Sequence, residues 1–115
     1  MRKKNFKGRC EKRTLGKCGE VCRTYDAIQS AFADVLQDSE DVKEIRCNVP
    51  MEGLPIGEYT TDFVCMKSNN DLMARECVSR KLLAKPLTAK LLDASRNYWL
   101  RKGVTDWGLV IDAEE

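Results

Sequence analysis

Asp62 and Glu76 stand in two stretches dense in β-branched and apolar side chains. Side chains alternate along a strand, so Thr60, Asp62 and Val64 share one face, and Ala74, Glu76 and Val78 share another. If the two stretches pair as a hairpin and bring those faces together, both carboxylates converge on one spot. Buried carboxylates are costly unless paired or bound to a cation, and hard oxygen ligands suit Mg2+ or Mn2+. Two solvent-facing acids on an edge hairpin are the alternative that spacing leaves open. The six cysteines are the other reactive set. Four thiolates, Cys10, Cys18, Cys22 and Cys47, match zinc in number. Their spacing lacks the close Cys-x2-Cys pair of a structural site, so free thiols are expected rather than zinc. Cys65 and Cys77 read as small apolar core groups, and Cys77 has no base beside it. The chain has no histidine. That removes Ser-His-Asp and Cys-His chemistry and every imidazole metal site.

These residues need a frame of strands and helices. Thr24 reads as the N-cap of a helix over 25–36, with Ile28, Phe32 and Val35 or Leu36 on one face. Residues 42–49 read as a strand stopping at Pro50, and 50–57 as a loop rich in Pro and Gly. A strand over 58–66, turn chemistry at 68–71 and a second strand over 72–78 make an antiparallel hairpin. Pro86 opens a helix running to Lys102, with Gly103 as its stop. Leu87, Leu91, Ala94 or Ser95, and Tyr98 form its apolar stripe, widened by Leu92 and Trp99. Residues 107–111 are almost wholly apolar, which suits a parallel strand buried on both faces and reached through the helix. Trp99 and Trp107 read as core rather than as base-stacking surfaces. The order is α-β-β-β-α-β: an α/β (α+β) domain with a mixed four-stranded sheet flanked by helices.

Length and charge bound the rest. One hundred and fifteen residues build one domain of modest core. Residues 1–22, basic and aperiodic, read as a mobile or loosely docked arm that carries three cysteines, and 23–115 as the domain. The opening nine residues are basic with no apolar stretch behind them, which reads as no secretory signal and a reducing, cytoplasmic setting. No apolar run is long enough for a membrane span. The net charge of +2 hides blocks of alternating sign. Residues 1–25 and 80–102 are strongly basic, and the middle and the end are acidic. A basic arm and a basic helix suit phosphate groups, while a merely solvated charged face remains the alternative.

The segment Glu58-Tyr59-Thr60-Thr61-Asp62-Phe63-Val64, a turn, Arg75-Glu76-Cys77-Val78, a Pro-started helix and a short apolar strand resemble the PD-(D/E)XK nuclease core. Within it, the match is most similar to the transposon-encoded TnsA endonuclease N-terminal domain. Ala27-Ile28-Gln29-Ser30-Ala31-Phe32 and Glu40-Asp41-Val42 resemble that family's first helix and first-strand entry. The resemblance spans roughly 25–112. It implies a restriction-endonuclease-like fold and Mg2+- or Mn2+-dependent phosphodiester cleavage in a mobile element. It assigns Asp62 and Glu76 as metal ligands and Gln29 as a neutral third oxygen. The motif lysine is Val78 here and the helix acid is Gln29, two departures that argue against cleavage. Lys81 is then the nearest candidate to supply the lost lysine, with Lys90 a second. Arg80, Lys81, Lys90, Arg96 and Arg101 are the expected DNA-phosphate contacts. The alternative is an inactive nuclease fold that binds DNA or protein, as a transposase partner or an inhibitor of a nucleic-acid enzyme.

Overall fold

The computed structural model describes residues 10–54 and 59–112. In chain order these form β1 (Glu11–Arg13), β2 (Cys22–Thr24), α1 (Ala27–Asp38), β3 (Val42–Met51), β4 (Tyr59–Lys67) and β5 (Leu72–Val78). A single 3-10 turn (Arg80–Leu82), α2 (Pro86–Arg101) and β6 (Asp106–Ile111) complete it. β3 to β6 make one mixed sheet in the order β3-β4-β5-β6. The first two pairings are antiparallel, and β5–β6 is parallel through the α2 crossover. This is the expected α-β-β-β-α-β order with a small β1–β2 pair added at its start.

Several boundaries differ for local reasons. Asp26, not Thr24, caps α1: its Oδ1 accepts the Gln29 N–H at 2.8 Å, while Thr24 is buried in β2. Residues 10–22 do not hang loose where described. Leu15 and Cys22 enter the core, and Arg13 donates to the Ser30 carbonyl at 2.9 Å and ion-pairs with Asp34. Aperiodic sequence hid this, because three-residue strands carry almost no pattern. β3 continues through Pro50, which pairs opposite Thr60. It lies on an edge strand, where a missing N–H costs least. Leu87 is exposed rather than part of the apolar stripe, and Thr88, Leu91, Leu92, Ser95 and Trp99 form the buried face of α2. β6 is not buried on both faces either. It is an edge strand, with Leu109 and Ile111 exposed.

The sheet separates two apolar clusters. Ala33 and Leu36 of α1 pack with Ile45, Phe63, Cys65, Met73 and Cys77. Leu91 and Trp99 of α2 pack with Met51, Tyr59, Val64 and Ala74. Sequence neighbours Phe63 and Val64, or Met73 and Ala74, therefore serve opposite layers, as alternation requires. One ribbon breaks that rule. Ile45 and Cys47 join the α1 layer, while Val49 and Met51, in the same alternation phase, join the α2 layer. On β4, Phe63 serves α1, whereas Tyr59 and Thr61 serve α2. Both strands change sides between the pairs Cys47–Phe63 and Val49–Thr61, the stretch that holds Asn48 on β3 and Asp62 on β4. Asn48 has φ +54°, a left-handed conformation that asparagine tolerates better than most residues. Its side chain is fastened on both ends, accepting from Gln29 Nε2 at 2.9 Å and donating to the Arg23 carbonyl at 2.7 Å.

Candidate functional site

The β4–β5 ladder runs from Met66–Leu72 to Phe63–Arg75 and then stops. Asp62 and Glu76 would form the next pair. Beyond them β4 stays on β3, and β5 continues along β6 to Val78–Ile111. The seam opens where the two carboxylates meet, and their side chains replace the ladder. Asp62 Oδ2 accepts the Cys77 N–H at 2.6 Å, and Glu76 Oε1 accepts the Asp62 N–H at 3.3 Å. Both side chains are 0% exposed.

Glu76 receives further donors from above. Ser95 of α2 donates to its Oε2 at 2.5 Å, and the Ser95 hydroxyl in turn accepts the Trp107 indole N–H at 3.0 Å. Thr61 repeats the arrangement from β4: its hydroxyl bonds Glu76 and accepts the Trp99 indole N–H at 2.7 Å. Tyr59 adds a phenol. Two tryptophans thus reach one carboxylate, each through a hydroxyl. Burial pushes Glu76 well above the ordinary carboxylate range, and the Asp62 charge adds to the rise. Burial and the same charges push the Tyr59 phenol up.

The sequence-identified residues divide sharply. The fold brings Asp62 and Glu76 together. Gln29 is fully buried, but its Oε1 accepts the Tyr25 N–H at 2.9 Å and its amide nitrogen serves Asn48. Val78 is buried. Arg80 and Lys81 are exposed on the 3-10 turn, and Lys90, Arg96 and Arg101 are exposed on α2. Lys90 and Arg101 lie close to one stripe of the helix, with Asn97 between them, and Arg96 lies about a third of a turn away. The hydroxyls of Thr61 and Ser95, the two indoles and Asn48 escaped sequence reading, since each looks like ordinary filling.

A divalent ion fits this arrangement poorly. Mg2+ takes near-octahedral oxygen ligands and usually keeps several waters. Here Glu76 faces N–H and O–H donors of the protein, and the Gln29 oxygen is engaged with backbone. Among the described residues, no group of three or more His, Cys, Asp or Glu side chains is arranged to hold a metal ion. No described helix is long and apolar enough to cross a membrane. Compared with known protein families and with curated proteins, the sequence matches none.

Proposed function

We propose that this chain is a nuclease-like DNA-binding module of the PD-(D/E)XK type, similar to the TnsA N-terminal domain of mobile elements, that holds DNA without hydrolysing it. The observation that carries this reading is the enclosed carboxylate pair at the open β4–β5 seam. Its position suits a nuclease ancestry, and its full burial under protein donors suits a structural use. Val78 at the motif lysine position points the same way, since valine neither orients a water nor stabilises developing charge. Phosphate binding rests on exposed Arg80, Lys81, Lys90, Arg96 and Arg101. A transposase-like protein is the partner such a module would serve.

A second reading, cleavage with Mg2+ or Mn2+, draws on the repulsion between Asp62 and Glu76, which a cation would relieve. One experiment separates them. Supercoiled plasmid is incubated with Mg2+ or Mn2+ and either wild type or Asp62→Ala/Glu76→Ala protein. No nicking is expected from either. Nicking by the wild type alone would establish the second reading. In parallel, duplex DNA affinity is expected to fall steeply with salt. Lys90→Ala with Arg101→Ala should reduce the salt slope by about 2, one counterion per lost phosphate contact. An unchanged slope would remove α2 from the DNA surface.

A further inference from the structure

Three of the six cysteines converge away from the carboxylate pair. The loop between β1 and β2 folds back on β3: Cys18 bridges Ile45, and the Ile45 N–H donates to the Lys17 carbonyl at 2.9 Å. This puts Cys18 and Cys47 on one cavity wall, and the Asn48 bond to the Arg23 carbonyl at 2.7 Å holds the Cys22 end of β2 against the Cys47 end of β3. Cys18 and Cys47 both pack against the buried cluster that holds Cys22. Cys22 is fully buried in the α1-side cluster, whereas Cys47 is half-buried. Cys18 and Cys47 line an open cavity of about 570 Å3, with Arg46 and Glu20 on its wall.

The chemistry of the trio is asymmetric. Hydrogen bonding with the Cys22 thiol first, then with the Arg23 backbone and the Cys18 thiol, holds Cys47 below the ordinary thiol range, against the effect of burial. The same contact and burial push Cys22 up. One sulfur therefore lies half-buried at a cavity wall and is shifted toward the thiolate, and its neighbour is fully buried and shifted toward the thiol. Reactivity follows thiolate character and access.

We propose that Cys47 and Cys22 form a peroxide-oxidised pair, with Cys47 reacting at the cavity wall and Cys22 closing a disulfide that ties β2 to β3. The Cys47 thiolate attacks one oxygen of hydrogen peroxide. The O–O bond breaks, and hydroxide leaves and takes a proton to become water. Cys47 becomes a sulfenic acid, oxidised by two electrons as the peroxide is reduced. The Cys22 sulfur then attacks the Cys47 sulfur. An S–S bond forms, the S–O bond breaks, and the hydroxide leaves with the Cys22 proton as a second water. The sum is two thiols and one peroxide giving one disulfide and two waters.

The test treats the reduced, full chain with stoichiometric hydrogen peroxide and reads intact mass and non-reducing peptide maps. Loss of two hydrogens and a Cys22–Cys47 cross-linked peptide are expected. Cys22→Ala should halt at a Cys47 sulfenic acid that a dimedone probe traps, and Cys10→Ala should behave as wild type. The wild-type map stands even if Cys22→Ala folds poorly. A Cys18–Cys47 disulfide, oxidation spread evenly over all cysteines, or co-purifying zinc that shields the trio would each overturn the proposal.

Discussion

Glu76→Gln is expected to be more stable than the wild type at pH 8 and slightly less stable at pH 5. In the folded chain, burial first and the Asp62 charge second push Glu76 up to about 8, against an ordinary 4.5. The folded state thus keeps a proton that the unfolded chain has released across that window. Where the folded state binds more protons, stability falls as pH rises. The loss is at most about 1.4 kcal/mol per pH unit for one proton, fully absent below 4.5 and complete above 8. Glutamine never charges, so its profile is flat in this window. At pH 5 it misplaces one hydrogen bond toward Ser95, a cost of about 1 kcal/mol. Urea unfolding at the two pH values measures this. Parallel profiles for both proteins would show that Glu76 stays ionised. Millimolar Mg2+ that rescues the wild type at pH 8, but not Glu76→Gln, would return a cation to the site.

Trp99→Ala is expected to cost about 3–5 kcal/mol, a large share of the stability of a domain this size. Trp99 is 7% exposed and packs in the α2-side cluster, edge-on to Tyr98 with ring centroids 5.0 Å apart. Removing it empties a large volume under α2 and also strips the Thr61 hydroxyl of its indole donor. Trp99→Phe keeps most of the volume and loses the N–H alone, so it should recover more than half of the loss. Equal losses in the two variants, read from denaturant midpoints, would assign the effect to the hydrogen bond and not to packing.

The parts of this molecule that were legible from sequence are those with a period. β5 matches its expected limits, and α2 is one residue shorter than expected, because Pro86 and Gly103 mark its ends and Gly103 takes φ +84°. The meeting of Asp62 and Glu76 followed from hairpin alternation. What surrounds them did not. Ser95 and Thr61 are common residues whose role depends on two strands and a helix arriving together. The side switch at Asn48 breaks the very period on which strand reading relies. The thiol trio was equally hidden, since Cys47 is distant in sequence from Cys18 and Cys22 and the folded-back loop has no pattern of its own.

The position of β6 has a consequence for the order of assembly and of opening. β3, β4 and β5 meet through antiparallel pairings across short separations, whereas β6 joins only after the whole of α2 has been laid down. Contacts that close long loops form late. Its anchorage is also lopsided: Asp106, at its start, is held by Lys67 at 2.7 Å and Arg75 at 2.8 Å, while Leu109 and Ile111 remain exposed. β6 should therefore peel from its far end inward. The Val110 and Ile111 amides would exchange with solvent ahead of those of β4 and β5, through a local opening that leaves the Asp62–Glu76 pair enclosed.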